Sequence, residues 1–259
     1  MLSHEPAPHL RAYARRLYGF HDATGPRGPL REGPGAEVVV LVNFGSQWRI
    51  GDATEPTRTP EEHGSFAAGL RLSSVLTQRD GVAHGMQLSL TPPGAYAFFG
   101  VPMRELAERT VALDDLLGSE ADRLTERLVG TNGWPARFAL LEAALSRRLP
   151  AGPRATEGVV WAWRRLSETH GSVRVEALAA ELGWSRARLL ARFREEVGIA
   201  PKTLARLLRF ERAADLLASA DRPSLASVAA ACGYYDQSHL TGEFGRIAAT
   251  TPARYAASA

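Results

Sequence analysis

Residues 175–201 and 225–252 are two copies of one pattern, and this internal repeat constrains the fold more than any other feature of the chain. VEALAAELGWSRARLLARFREEVGIAP faces LASVAAACGYYDQSHLTGEFGRIAATTP. Leu178, Ala179, Leu182, Gly183 and Trp184 stand opposite Val228, Ala229, Cys232, Gly233 and Tyr234 at an offset of 50. After one extra residue in the second copy, Ser185, Leu189, Phe193 and Pro201 stand opposite Asp236, Leu240, Phe244 and Pro252 at an offset of 51. Each copy reads as a short helix, a glycine free to take left-handed backbone, a Ser or Asp N-cap and a second helix. Ala179 and Ala229 are small where the two helices must cross closely. The spacing predicts a helix-turn-helix in each copy.

Such a unit buries one side of its second helix and offers the other to the major groove of DNA, with residues near the helix start reaching base edges. With Leu189 and Phe193 inside, the step of about 100° per residue puts Ala187, Arg188, Ala191, Arg194 and Glu195 outside. With Leu240 and Phe244 inside, Ser238, His239, Gly242, Gly245 and Arg246 are outside. Ser185, Arg186, Gln237 and Thr241 at the helix starts complete the candidate DNA-binding set. Lys202 to Ser219 reads as an amphipathic helix roughly 25 Å long. As a rigid strut it would hold the two readers near one turn of DNA apart, roughly 34 Å.

Charge agrees with this placement. Residues 154–259 carry 15 Lys+Arg against 11 Asp+Glu, whereas residues 1–153 carry 16 against 17. Lys202 is the only lysine, and every other basic side chain is arginine, whose planar fork pairs with phosphates and guanine edges. GC-rich coding would give the same arginine bias, so composition alone does not decide.

The first half has a different texture. Glu37–Phe44 (EVVVLVNF), Gln47–Ile50, Leu70–Gln78 and Met86–Leu90 read as strands separated by turn residues, and Gly25–Gly35 (GPRGPLREGPG) reads as a loop. Leucines from Leu113 to Leu128 and apolar residues from Phe138 to Leu149 recur at helical intervals around a break at Gly130–Gly133, which predicts a helical hairpin. The expected fold class is therefore α+β in two domains. Residues 1–112 are a β-rich, barrel-like sensor half and 113–150 a helical hairpin suited to dimerisation. Residues 151–156 are a linker, and 157–259 an all-α domain with two helix-turn-helix units.

The second copy also resembles a known family. CGYYDQSHLTGEFGRIAATTPARY (Cys232–Tyr255) is similar to the DNA-binding domain of the AraC/XylS family of bacterial transcription regulators. Gly233, Tyr234, Asp236, Ser238, His239, Leu240, Phe244, Thr251, Pro252 and Tyr255 stand at the positions of the family pattern. The resemblance covers about residues 157–257. It implies a sequence-specific regulator in which a small β-barrel senses a ligand and helices pair two subunits. Three residues depart from the pattern: Gly242 and Gly245 stand where basic residues are usual, and Ala249 where glycine is usual. The segments Pro92–Leu106 and Trp134–Leu149 look like those of members with an uncharacterised sensor half.

Other functions would require chemistry of their own. The histidines form no His-x-His or His-Glu-x-x-His set, and no nucleophile elbow or phosphate loop is present, so no catalytic residue, metal or cofactor is expected. An enzyme or a DNA-repair protein carrying the same domain is the alternative; in it Cys232 would be reactive, whereas its match to Leu182 favours packing. Trp48, Phe66, Tyr96 and Phe98 are candidate ligand-binding residues for an apolar or aromatic effector, with core packing as the competing role. Arg71, Arg79 and His84 would suit an anionic effector, or a solvated face. No apolar run approaches the ~20 residues of a membrane span, and the chain starts without a secretory apolar segment, so a cytoplasmic protein is expected. The expected partners are double-stranded DNA, a second copy of the chain, a small-molecule effector and RNA polymerase, with no membrane partner.

Overall fold

The computed structural model of the chain describes residues 1–258 apart from 25, 26, 54, 56 and 222. Its first half is built of ten strands among the described residues: β1 (Leu2–His4), β2 (Ala14–Asp22), β3 (Arg27–Glu32), β4 (Val38–Asn43), β5 (Trp48–Asp52), β6 (Glu61–His63), β7 (Phe66–Ala68), β8 (Val75–Arg79), β9 (Ala83–Leu90) and β10 (Thr110–Ala112). They form a six-stranded antiparallel sheet in the order β1-β2-β9-β4-β7-β10 and a four-stranded one in the order β3-β8-β5-β6.

The valine run explains the centre of the larger sheet. β4 pairs with β9 on one side and β7 on the other, and alternate residues face opposite ways. Val38, Val40 and Val42, opposite Leu90, Leu88 and Met86, enter the main core. Leu41 faces the smaller sheet, where it joins Ile50 and Phe66, flanked by Phe20, Trp48, Ala68 and Val75. Burial on both faces is why this strand reads as a continuous apolar run instead of an alternating one.

Two expectations for this half are corrected. The Gly25–Gly35 stretch is not a loop throughout: Arg27–Glu32 is β3, paired with β8 through Leu30↔Thr77 and Glu32↔Val75. It is an edge strand whose register shifts between Arg27 and Leu30, and an edge tolerates Pro29, which has no N–H to give. Gly25 and Pro26 lie outside the described residues. The strand expected at Leu70–Gln78 starts only at Val75; before it, Arg71 makes a single bridge to Gly35, and the short β7 precedes that.

Eleven helices are found among the described residues: α1 (Pro92–Phe99), α2 (Leu113–Leu117), α3 (Ser119–Gly130), α4 (Trp134–Arg148), α5 (Glu157–Glu168), α6 (Val175–Glu181), α7 (Arg186–Glu196), α8 (Pro201–Ala218), α9 (Leu225–Ala231), α10 (Gln237–Ala248) and α11 (Pro252–Ser258). α1 lies outside the helices that periodicity predicts, although its start carries a readable signal. Thr91 Oγ1 accepts from the Gly94 N–H at 3.1 Å, and Pro92–Pro93 occupies the first turn, where no N–H is missed. The expected hairpin is α3 and α4, preceded by the short α2, from which Gly118 separates it at φ 56°.

The apolar interior is divided along α8. The larger core runs from the six-stranded sheet through α1, α4, α5, α6 and α7 to Leu204, Ala205 and Leu207. A separate core begins at Phe210 on the same helix and continues through Ala213, Ala214 and Leu217 to α9 and α10. Here the rings of Phe210, Phe244 and Tyr255 meet, with Phe210 and Phe244 centred 4.7 Å apart and Tyr255 edge-on to both. Tyr255, the tyrosine of the Thr-Pro-x-x-Tyr sequence, thereby fastens α11 to the strut.

Among the described residues, polar contacts join the first half to the helical half. Arg104 forms an ion pair with Glu195 of α7. The Arg15 guanidinium lies 5.4 Å from the Trp163 ring centre. The Ala36 N–H donates to Glu211 Oε1 of α8 at 2.7 Å. Burial pushes the Glu211 carboxyl up to about 7; the Ala36 N–H opposes the shift, and Glu37 and Asp215 add to it.

Candidate nucleic-acid interface

Both copies of the repeat close their turns in the same way. Gly183 (φ 63°) and Gly233 (φ 71°) take left-handed backbone after α6 and α9. The Trp184 N–H then donates to Ala179 O and the Tyr234 N–H to Ala229 O, each at 2.9 Å, which satisfies carbonyls that a helix end leaves open. The next helices start on side-chain caps: Ser185 Oγ accepts from Arg188 N at 3.1 Å, and Asp236 Oδ1 from His239 N at 2.7 Å. Leu189 and Phe193 of α7, and Leu240 and Phe244 of α10, are fully buried.

The opposite faces are free. Ser185, Arg186, Ala187, Arg188, Ala191 and Arg194 are exposed on α7, and Gln237, Ser238, His239, Gly242, Gly245 and Arg246 on α10. Thr241 is half-buried, and its hydroxyl donates to Gln237 O at 2.9 Å. Glu195, expected on the outer face of α7, is half-buried in its pair with Arg104.

The two faces differ in charge. On α7 the Arg188 guanidinium rests 4.5 Å from the Trp184 ring centre, Arg186 makes a loose exposed pair with Glu176 at 3.4 Å, and Arg194 is exposed. On α10 the exposed cation is Arg246, which is paired with Glu243. Glu243 is buried and also takes a two-pronged contact from Arg206 of α8, at 2.9 and 3.3 Å. Burial pushes the Glu243 carboxyl up, but the hydrogen bonds and charges of Arg206 and Arg246 outweigh it and hold it below the usual carboxylate value. A Cβ added at Gly242 or Gly245 would meet nothing within 4 Å, so these glycines are not required by packing. Ala249 ends α10 in left-handed backbone, φ 51° and ψ 30°, where the family pattern has glycine.

The residues considered for an effector separate in space. Trp48 and Phe66 share a cavity of about 200 Å³ between the two sheets, along with Val39, Leu41 and Ile50. Tyr96 and Phe98 stand on α1 instead: Phe98 is buried against Phe99 beneath Arg148, and Tyr96 packs on the main core. Arg71 also lines the cavity, and burial pushes its guanidinium down. Arg79 is buried over Trp48 and donates to Asp22 at 2.6 Å. His84 is on the opposite face of its sheet, against Trp134 and Arg137 of α4, and burial, then Arg137 and His21, hold its imidazole below the usual value.

Among the described residues no three His, Cys, Asp or Glu side chains gather to hold a metal ion, and no helix is long and apolar enough to cross a membrane. Cys232 is buried at the end of α9, and burial pushes its thiol up.

Residues 178–258 match a helix-turn-helix domain family. The chain is similar to the DNA-binding domain of AdpA, a global transcriptional factor solved in complex with a target DNA. Identity is 36%, coverage 39% of this chain and 88% of that one, and TM-score 0.34. It is similar to the C-terminal domain of AraT, a response regulator from Geobacillus stearothermophilus, at 24% identity over 41% of this chain and 89% of that one, with a TM-score of 0.38. ToxT from Vibrio cholerae matches over 93% of this chain and 97% of its own, at 11% identity and a TM-score of 0.47. No curated protein matches. By its helix-turn-helix domain and the residues that build it, the chain belongs to the AraC/XylS family of transcription regulators.

Proposed function

We propose that this DNA-binding transcription regulator reads its operator with α7 and α10 in the major groove, and that α7 supplies more of the affinity. The observation that carries the proposal is the pair of exposed faces beginning at the Ser185 and Asp236 caps, with Arg186, Arg188 and Arg194 on the first and two open glycines on the second. Phosphate contacts from arginine supply sequence-independent attraction. Base choice belongs to Arg186, Arg188, Gln237, Ser238 and His239, with a smaller share for Thr241, whose hydroxyl is already used within its helix. Ala187, Ala191, Gly242 and Arg246 complete the contact surface.

The finer parts of the reading belong to the same proposal. The protein acts in the cytoplasm as a homodimer joined through the α3–α4 hairpin. A small-molecule effector in the cavity beside Trp48 and Phe66 shifts the population of subunit arrangements that fit DNA. RNA polymerase is the further partner. The protein is not an enzyme: the buried thiol of Cys232 is poorly suited to attack an alkylated base, because burial disfavours the thiolate.

Binding to duplexes recovered from the genome, measured across a salt series, tests the reading. Wild type should lose affinity steeply as salt rises. Arg188→Ala should weaken operator binding by roughly tenfold, the scale of one arginine–guanine contact, and Gly242→Arg should strengthen it. No loss in the first and no gain in the second would refute the division between the helices.

A further inference from the structure

The second copy of the repeat has one residue that the first lacks. Trp184 is followed directly by the cap Ser185, whereas Tyr234 and the cap Asp236 are separated by Tyr235. The two flanking positions have ordinary structural roles, since Tyr234 is buried in the small core and Asp236 caps α10. Tyr235 has neither: it is 93% exposed.

Its backbone is nevertheless held. The Tyr235 N–H donates to Nδ1 of His239 at 3.3 Å, the His239 N–H donates to Asp236, and the His239 ring stands edge-on to Tyr234, 5.4 Å between centres. The phenol therefore projects from a fixed point one residue before the reading face of α10. A side chain that packs on nothing yet is anchored at its root contributes little to the fold, and tyrosine hydroxyls are among the groups that bind phosphate oxygens of DNA. The need is local as well. α7 carries four exposed arginines, of which Arg192 is paired with Glu196 while Arg188 and Arg194 form no ion pair among the described residues, whereas on α10 Gly242 and Gly245 offer no side chain and Arg246 is paired with Glu243.

We propose that Tyr235 is a DNA-backbone contact of the second unit, its hydroxyl donating to a phosphate oxygen beside the groove that α10 enters. The inference rests on the reading of α10 as a groove helix. The contact is neutral and blind to sequence; it fixes the position of the second reader without adding charge.

Full-length protein, Tyr235→Phe and Tyr235→Ala are compared by fluorescence anisotropy on a duplex selected by wild type from a random library, on a scrambled duplex, and across a salt series. Tyr235→Phe should weaken binding roughly three- to tenfold on both duplexes, the scale of one hydrogen bond. The slope of affinity against salt should not change, because no charge is removed. Tyr235→Ala should lose at least as much, with the melting temperature of both variants unchanged. Wild-type affinity in Tyr235→Phe, a loss confined to the selected duplex, or a loss matched by a fall in melting temperature would each overturn the assignment. Failure of wild type to bind any duplex would instead bring down the reading of α10 itself.

Discussion

The two helix-turn-helix units are built to one plan and embedded in different ways. Both have the same glycine turn and the same kind of cap, and both bury a leucine and a phenylalanine four residues apart. Around the first, Leu189 and Phe193 belong to the core that reaches back into the β-sheet half, and Arg104 and Glu195 tie that half to α7. Around the second, Leu240 and Phe244 belong to a small core closed by α8, α9 and α11. A repeat in sequence thus reports shared local geometry, and what each copy leans on is decided elsewhere in the chain.

The largest expected effect separates the two surroundings. Phe244→Ala should cost about 3–5 kcal/mol, the usual range for a buried phenylalanine, and hydrogen exchange should quicken across residues 210–256 while the β-sheet half stays protected. Phe193→Ala, equally buried, should instead loosen α1 and α5 as well. Equal spread of the damage in both variants would break the distinction.

A second effect lies where the two surroundings meet, at Glu211 on α8. Its folded value of about 7 lies above the ordinary 4.5, so the folded chain holds this proton more tightly than the unfolded chain does. The stabilisation is complete below pH 4.5 and is lost as pH rises through 7, at most about 3 kcal/mol at ~1.4 kcal/mol per pH unit. Glu211→Gln keeps an acceptor for the Ala36 N–H; it should remove that slope and leave the chain more stable than wild type at pH 8 in urea titrations. An unchanged slope would show that the carboxyl does not titrate in this window.

The smallest effect tests whether the second unit carries avoidable strain. Ala249→Gly relieves left-handed backbone and should raise stability by about 1 kcal/mol. Gly242→Ala and Gly245→Ala, with open space around each Cβ, should add about 0.5–1 kcal/mol each. Thermal melts would register all three, and destabilisation by any of them would point to a contact on α10 not accounted for.

The repeat was legible because its signals are local. Gly183, Ser185, Gly233 and Asp236 act on their own neighbours, and helical spacing alone identifies the buried faces. β3 reads as a loop because Gly28 and Pro29 carry the composition of one, and only pairing with β8, distant in sequence, makes them an edge strand. The grouping of Trp48 with Phe66, apart from Tyr96 and Phe98, depends on how two sheets face each other. Glu195 was expected outside because helix periodicity is blind to Arg104 of another segment. The extra residue before Asp236 was visible as a change of offset, but its exposure was not.

That α8 contributes side chains to both cores has a thermodynamic meaning. Leu207 and Phe210, three residues apart, belong to separate apolar clusters, and two clusters that share only a helix are expected to unfold as separate units, which one unfolding free energy would not describe. Calorimetry should resolve a minor transition for the smaller unit ahead of the main one, with the continuous backbone of the shared helix as its hinge.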